Sequence, residues 1–355
     1  MNKIDRYIAA SVLNATFLVL MVIVSLDTLF AFVGELASMK ASYQLVEVLQ
    51  YVGLSIPNRI YKFIPFSALI GCLVGLGALA NNSELVVMRA AGVSLWRIVW
   101  GVMQPTLLII LIGISIGEFV SPYTEQLADS GRAIARSKDG PSAQFSQQGV
   151  WHREGNEFMH FNAVEPGGIL HGITRFKFND KKELLEASFA DRGVFKGDYW
   201  LLQNLQSNQF KGDQVTTERL PFLQWQTSLS KDLLDVVVVK PDDLSIRGLS
   251  TYTDYLAQQG LNAGEYQLAF WRKILQPAVI IALVLVGISF VFGPLRSVTM
   301  GLRIFIGVIA GFSFNIIQEL LGPSSLVFGF SPLIAVTVPL LLCFIVGGVL
   351  LKRAG

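Results

Sequence analysis

The stretch 81–97 separates two long apolar runs and carries serine, glutamate, methionine and arginine side chains. Ser83 is predicted to cap a helix, because a serine hydroxyl can accept a hydrogen bond from a free N–H of the first turn. Glu84 then lies where the helix dipole favours an anion, and Gly92 suits the end of the helix. These residues predict binding to another protein, since a short, partly apolar helix can dock into a groove of a soluble partner. The alternative is an interfacial loop that merely connects two spans.

Motifs for catalysis are missing from the sequence. It has no glycine-rich phosphate-binding loop, no zinc-protease helix motif and no nucleophile elbow. His152, His160 and His171 match no standard spacing of metal ligands, so we expect solvent-facing histidines on strands rather than a metal site. The chain is therefore predicted not to be an enzyme and to hold no metal.

Basic residues near the ends of the apolar runs suggest a second kind of recognition. Lysine and arginine both attract phosphate, and arginine can bind it with two parallel hydrogen bonds. Such a rim suits an amphiphile with fatty chains and an anionic head, although the same residues could only anchor span ends at the lipid headgroups. The basic residues of this rim are Lys40, Arg59, Lys62, Arg132, Arg272 and Lys273.

Composition places these residues in a membrane protein. The chain has 355 residues, of which 15% are charged, against about 25% in soluble domains. A net charge of +2 gives no sign of a nucleic-acid partner. Cys72 and Cys343 lie inside apolar runs and are too few for a disulfide framework. The first apolar run is too long for a secretory signal and is expected to remain as an anchor.

Six apolar runs are long enough to cross a bilayer, which takes about 20 residues. Asp27, in the first run, either contacts a neighbouring helix or substrate, or is an interfacial acid near the headgroups. Glycines four residues apart, in three of the runs, predict close approach of neighbouring helices. Glu118 and Pro122 are expected to end the third run, and a tight loop over 322–332 to separate the last two. The runs are Ile8–Val33, Leu54–Ala80, Ile98–Gly117, Ile274–Phe292, Ile304–Leu321 and Leu333–Leu351.

Orientation follows from the Lys and Arg residues near the span ends. One side holds eight of them, and the other holds three when the segment 121–264 and the adjoining anchor 265–273 are left out, so the side with eight is predicted to be cytoplasmic. Both termini and the stretch 81–97 then lie inside, and the segment 121–264 lies outside. The eight are Lys3, Arg6, Arg89, Arg97, Arg296, Arg303, Lys352 and Arg353; the three are Lys40, Arg59 and Lys62.

The segment 121–264 holds all three histidines and most of the charge. Short alternating runs separated by turns, such as Glu154-Gly155-Asn156, predict a sandwich or jelly-roll-like sheet, followed by a helix over 250–259. The predicted fold is an α-helical membrane protein of six helices, three plus three, with an inserted periplasmic all-β domain. Its predicted domains are 1–120, 121–264 and 265–355.

Four segments together resemble a known family, the LptF/LptG permeases of the lipopolysaccharide export system. The resemblance covers the whole chain, and the last segment favours the LptG branch. The four are Asp5-Arg6-Tyr7-Ile8, Ser83-Glu84-Leu85-Val86-Val87-Met88, Trp271-Arg272-Lys273-Ile274-Leu275-Gln276-Pro277 and Phe292-Gly293-Pro294-Leu295-Arg296-Ser297.

This resemblance implies a set of partners and a location. In the family, LptF and LptG form a heterodimer in the bacterial inner membrane above two copies of the ATPase LptB, and LptC adds a transmembrane helix. The complex extracts lipopolysaccharide and passes it through jelly-roll domains to a periplasmic bridge. The chain itself would carry no cofactor, because ATP is used by the partner subunits. The first and fifth spans are expected to form lateral gates.

The resemblance also assigns roles to residues. The helix after the second span, about 83–92, is expected to couple to the ATPase through Ser83, Glu84, Leu85, Met88 and Arg89. LptG proteins can carry a lysine near the outer end of the first span, where this chain has Phe30-Ala31-Phe32. Lys40, Arg59, Lys62 and Arg132 are expected to meet the lipid head instead.

Other functions fit the same sequence pattern. The main rival is a membrane anchor or assembly factor that presents a periplasmic β domain without transport. An exporter of a different amphiphile is a second possibility, and a lipid-modifying membrane enzyme is disfavoured because no nucleophile–base or metal constellation is present.

Overall fold

The computed structural model describes residues 3–39, 43–137, 150–165, 168–212, 214–227, 240–258, 262–293 and 298–354. The chain divides into two compact units. The first comprises Met1–Leu29, Ile56–Val120 and Ser245–Gly355, and the second comprises Phe30–Ser55 and Ser121–Leu244. The predicted domains were bounded by the ends of the membrane spans and of the inserted segment. The two units are instead defined by contacts between residues, and the second unit therefore also includes residues 30–55.

The described residues form ten α-helices, one π-helical turn and a short 3-10 helix, Pro241–Asp243. Six helical segments are long and apolar enough to cross a membrane. The α-helices are α1 Lys3–Leu36, α2 Leu45–Leu54, α3 Ile56–Asn81, α4 Glu84–Ala90, α5 Leu95–Ser115, α6 Ser121–Ser137, α7 Ile246–Gln258, α8 Gly264–Phe292, α9 Met300–Phe328 and α10 Pro332–Ala354. A π-helical turn, Ile116–Val120, joins α5 to α6.

Two predicted helix ends are wrong. Glu118 and Pro122 do not end the third span, because the π-helical turn carries the chain directly into α6; a proline is tolerated in the first turn of a helix. The predicted loop over 322–332 is also wrong, since α9 continues to Phe328. A Cβ at Gly322 would lie 3.1 Å from Cδ2 of Leu268. This glycine therefore allows α9 to pack closely against α8 and does not end the helix.

Helix α3 is the most deeply buried span of the first unit. Leu69, Leu73 and Leu76 have no exposed surface. Cys72 is equally buried and both cysteines are free, as predicted. These side chains belong to one apolar cluster with residues of α1, α5, α8 and α9. The other helices of this unit are thus organised around α3.

The predicted close approaches at glycine pairs are confirmed, and all three involve α3. A Cβ on Gly71 would collide with the backbone of Thr16, and one on Gly75 would lie 2.8 Å from Cα of Val12. Helix α1 therefore lies backbone to backbone against α3. On the other sides, Gly113 and Gly117 approach Ile64 and Tyr61 of α3, and Gly307 and Gly311 approach Leu73, Phe66 and Leu69.

Substituting Gly75 with alanine should force α1 away from α3. We expect Gly75→Ala to lower the free energy of unfolding by about 1–3 kcal/mol, because overpacked cores lose about that much. A denaturant titration of the purified chain in detergent micelles measures the loss. Gly301→Ala is the matched control, since nothing lies within 4 Å of its added methyl group. Equal stabilities of both variants would contradict the close contact.

The second unit contains one antiparallel sheet of six strands in sequence order. The predicted jelly-roll-like domain thus takes the form of a meander in which each strand pairs with its sequence neighbour. The predicted turn at Gly155-Asn156 is confirmed, as Glu154 pairs with Glu157 across it. The strands are β1 Val150–Glu154, β2 Glu157–Glu165, β3 Ile169–Phe178, β4 Leu184–Phe195, β5 Trp200–Lys211 and β6 Gln214–Trp225.

Both faces of this sheet contain buried rows. Phe161 pairs with Ile173, and Ile173 with Ala190, all without exposed surface. Gly193 lies on the same face, because a Cβ added there would be 3.0 Å from Ile173, 3.1 Å from Leu202 and 3.4 Å from Leu170. In β2 the consecutive residues 159–164 are all buried, and since neighbouring residues of a strand point to opposite faces, both faces are covered there. Helix α6 packs on β2, and α2 packs on α6. Covering on both faces distinguishes this sheet from one with a fully solvated side.

Candidate functional site

The short helix α4 follows α3 after two residues and begins differently from the prediction. Ser83 occupies the position before the helix, but its side chain makes no capping hydrogen bond, so that expectation is wrong. The physical reason is its left-handed backbone, with φ of 62°, whereas a capping serine has extended dihedrals. Asn82 lies beside the first turn instead and donates to Oε1 of Glu84 at 3.3 Å.

The end of α4 agrees with the prediction. Gly92 has φ of +86°, which a glycine adopts without steric cost. Its N–H donates to the carbonyl of Arg89 at 3.0 Å, and the N–H of Val93 donates to that of Met88 at 3.1 Å. These two bonds form a Schellman motif, which satisfies carbonyls at the helix end and turns the chain into α5.

The two faces of α4 have different surroundings. Leu85 is 4% exposed and belongs to the apolar cluster around α3, with Met88 packed against it. Val86 and Val87 are 54% and 66% exposed. Glu84 is half-buried. Of the predicted coupling residues, Leu85 and Met88 thus fix the helix to its own unit, and Arg89 is exposed. The half-buried Glu84 accepts from Asn82 and lies beside the Tyr7 hydroxyl of α1.

The exposed surface of α4 at Val86 and Val87 was not predicted from the sequence. The signal was present, because Leu85 and Met88 are three residues apart and define one buried stripe. Residues between them must then point away from it. Trp96, which is 71% exposed at the start of α5, extends the same apolar surface in sequence.

A groove of about 790 Å³ lies beside the end of α4. The turn after α4 forms one wall and the last two turns of α10 form the other. Arg89 and Lys352 give it positive charge from both sides. It is lined by Arg89, Gly92, Val93, Ser94, Leu95, Trp96, Gly348, Leu351 and Lys352.

A buried arginine holds the end of α3, from which α4 departs. Arg303 of α9 is 2% exposed, and its Nη1 donates to the carbonyl of Gly77 at 3.3 Å. A cation near a helix C-terminus also complements the helix dipole. The sequence placed Arg303 before the fifth span, whereas it lies inside α9 and ties that helix to α3.

The predicted basic rim is largely engaged with protein groups. Arg59 of α3 forms an ion pair with Asp27 of α1 and donates to the Asp27 carbonyl at 3.4 Å. Asp27 therefore contacts a neighbouring helix, which was one of its two predicted roles. Lys62 is exposed on α3, and Lys40 lies outside the described residues.

In the second unit, Arg132 pairs with an acid that the sequence did not single out. Its Nη2 lies 2.5 Å from Oε1 of Glu35. Arg136 lies 3.1 Å from the other carboxylate oxygen of the same residue. A lipid head could reach these arginines only in competition with Glu35.

Arg272 and Lys273, predicted as interface anchors, bind neighbouring helices. Arg272 donates to the carbonyl of Gln318 at 3.3 Å and lies 3.6 Å from the Glu319 carboxylate. The buried Lys273 donates to the Gly117 carbonyl at 3.2 Å, with its ammonium 5.3 Å from the centre of the Tyr61 ring. Gly117 lies in the π-helical turn, a geometry often found at functional sites.

Glu118, in the same turn, caps another helix. Its carboxylate accepts hydrogen bonds from the N–H groups of Ile246, at 2.8 Å, and Arg247, at 3.5 Å. These are free donors at the start of α7, where an anion is favoured. The cap accounts for why α7 begins at Ile246 rather than at the predicted residue 250.

Removing this cap should loosen the first turn of α7. We expect Glu118→Ala to speed amide hydrogen exchange at residues 246–248 about fivefold, the equivalent of about 1 kcal/mol for a lost cap. Mass spectrometry of the deuterated full chain in micelles measures it. Asp254→Ala changes an exposed acid of the same helix and should leave these amides unaffected. Unchanged exchange in Glu118→Ala would show that the carboxylate is not the cap.

Two histidines are not solvent-facing, which corrects the prediction. His152 and His160 are 7% and 1% exposed. His152 pairs with the buried Met159, and the ring of His160 lies 4.9 Å from that of Trp151. The prediction assumed a solvated face, but both faces are covered here. Burial lowers the pKa of His152, although Glu154 opposes the shift. Among the described residues no three His, Cys, Asp or Glu side chains could hold a metal ion.

Comparison with known proteins decides the family. Residues 6–353 match the family described as lipopolysaccharide export system permease LptF/LptG. The chain belongs to this family. It is 37% identical over 354 residues to the lipopolysaccharide export system permease protein LptG of Escherichia coli (strain K12), covering 99% of this chain and 98% of that protein. It is 36% identical over 355 residues to LptG of Haemophilus influenzae, covering 99% of both.

The predicted resemblance, including the preference for LptG, is therefore confirmed. The chain is a lipopolysaccharide export permease with six apolar spans and an inserted sheet domain. Pro294, Leu295, Arg296 and Ser297, which carried part of the resemblance in the sequence, lie outside the described residues.

Proposed function

We propose that this chain is one permease half of an ATP-driven transporter that extracts lipopolysaccharide from the bacterial inner membrane and passes it to a periplasmic bridge. Family membership supports the substrate and the permease role. Helix α4 supports coupling to a separate ATPase, because its inner face is fixed and its outer face is apolar and exposed. In this proposal the chain binds no nucleotide or cofactor, and ATP is used by partner subunits.

The coupling surface proposed here consists of Val86 and Val87 on the outer side of α4, with Glu84 and Arg89 at its two edges. An exposed valine pair flanked by an acid and a base is typical of a helix that docks into a groove. Leu85 and Met88, on the inner side, connect that surface to the apolar cluster around α3. A push on α4 would then move the end of α3, and Arg303 would transmit it to α9.

The proposed partners are the sister permease LptF, two copies of the ATPase LptB, and LptC. The proposed orientation has both termini and α4 in the cytoplasm and the sheet domain in the periplasm, as the distribution of Lys and Arg indicates. In the assembled transporter the first and fifth spans, which are α1 and α9, would face the partner permease. Nucleotide-driven closure of the ATPases would squeeze the lipid cavity.

The proposed lipid contacts remain Lys40, Arg59, Lys62 and Arg132. Their exposure to solvent ranks the expected strength of these lipid contacts. Lys62 is exposed, whereas the side chains of Arg59 and Arg132 are only 19% and 16% exposed. Lipid crosslinking of Lys62→Ala should therefore fall more than that of Arg59→Ala, and unchanged crosslinking in all four alanine variants would refute the set.

Reversing the charge at Glu84 should uncouple the transporter. In Glu84→Arg we expect lipopolysaccharide release to fall at least tenfold while the ATPase still hydrolyses ATP, because an interfacial hydrogen bond to a charged group contributes about 1.5–3 kcal/mol. Release from proteoliposomes and phosphate production, measured in the same sample, separate the two activities.

The control is Glu265→Arg, an identical change at an exposed glutamate in the first turn of α8. It should leave both rates near those of the unchanged protein. Normal lipid release by Glu84→Arg, or an equal loss in both variants, would contradict the coupling role.

A further inference from the structure

Glu35 stands at the centre of a charge cluster in the second unit. It lies in the last turn of α1 and is 8% exposed. Each oxygen of its carboxylate takes one guanidinium, Arg132 at 2.5 Å and Arg136 at 3.1 Å. The hydroxyl of Tyr43 also donates to it at 3.0 Å. The two arginines, one turn apart on α6, thus converge on a single internal anion.

Aromatic rings hold both guanidiniums in place. The Arg132 guanidinium lies 4.7 Å from the centre of the Tyr51 ring, and that of Arg136 lies 4.9 Å from the centre of the Tyr43 ring. Cation–π contacts of this kind are stronger where water is excluded, and Tyr43 has no exposed surface. The arginines are therefore positioned by groups other than Glu35 alone.

The two guanidiniums share the Glu35 carboxylate, which gives one oxygen to each of them. A phosphate monoester carries about −1.5 to −2 charges and three acceptor oxygens, so it would neutralise the pair more completely than a carboxylate can. The guanidinium forks suit phosphate as well as carboxylate.

The hydroxyl of Tyr43 remains a donor throughout the physiological range. Burial, followed by the hydrogen bond to Glu35, raises the pKa of Tyr43 to about 12. The tyrosine can therefore stabilise the Glu35 carboxylate in its internal position without titrating itself.

We propose that Glu35 is an internal counter-ion of Arg132 and Arg136, which the phosphorylated head of lipopolysaccharide must displace before both arginines can bind it. The proposal rests on the proposed function and adds a residue that sets specificity. Displacement costs binding free energy, so weak anions do not occupy the site. It also breaks the ion pairs that join the last turn of α1 to α6, so lipid arrival would release the end of α1.

Neutralising Glu35 should increase affinity for phosphorylated lipid. In the full transporter, reconstituted in nanodiscs, we expect Glu35→Gln to bind lipopolysaccharide about tenfold more tightly, because a hydrogen bond to a charged group corresponds to about a factor of ten. Binding of enzymatically dephosphorylated lipopolysaccharide should not change. Competition titration with a fluorescent lipopolysaccharide measures both. Glu218→Gln removes one negative charge from an exposed position of β6 in the same unit and should change neither affinity.

Tyr43→Phe provides a second, milder variant in case Glu35→Gln does not fold. It keeps the ring beside Arg136 and removes only the donor to Glu35, so affinity for the phosphorylated form should rise about threefold. Unchanged or weaker binding by the folded variants would overturn the counter-ion role. If the unchanged transporter binds neither form of lipopolysaccharide, the proposed function fails instead, which separates the two outcomes.

Discussion

The close packing of helices on α3 is the constraint on which the first unit depends. Helix association in a membrane gains little from the hydrophobic effect and relies on close contact. Glycines of α3 admit the backbone of α1, and glycines of α5, the π-helical turn and α9 admit side chains of α3. A helix enclosed in this way moves with its neighbours. Because α4 follows α3 directly, displacement at α4 has a rigid element to act on.

Buried charges fix the ends of these helices. Arg303 holds the end of α3, Lys273 and Glu118 hold the π-helical turn, and Glu35 gathers the arginines of α6. Each charge has an acceptor or a counter-ion, as low polarity requires. The apolar contacts thus set how closely the helices approach, and the polar contacts set where the helix ends lie. The lipid-binding proposal follows the same logic, since a ligand that competes for a counter-ion also changes a helix end.

Much of this organisation could be predicted from the sequence. Six spans, the glycine contacts, the Gly92 helix end and the hairpin at Gly155 all follow from local rules on hydrophobic length, glycine spacing and turn chemistry. The helix ends predicted at Glu118, Pro122 and Gly322 were wrong, because local rules treat these residues as helix-ending signals. Contacts distant in sequence decide these positions: Glu118 caps α7, and Gly322 packs against α8. The buried histidines were missed because cover on both faces of the sheet leaves no local signal.

The candidate site shows the same division. The sequence identified α4 and its acid, yet Leu85 and Met88 face inward, and the surface belongs to Val86 and Val87. Arg132 was found from its charge alone, whereas Glu35, its partner across 97 positions of sequence, could be recognised only in the folded unit. Counter-ions of this kind require a fold, since a lone glutamate at the end of an apolar run resembles any interfacial acid.

The most direct test of the central claim is photo-crosslinking in living cells from a benzoyl-phenylalanine placed at Val87. The account predicts a crosslink to an ATPase subunit, whereas the same probe at the exposed Leu111 of α5, within the membrane span, should give none. The absence of an ATPase crosslink from Val87 in cells that still export lipopolysaccharide would contradict the role of α4 as the coupling helix.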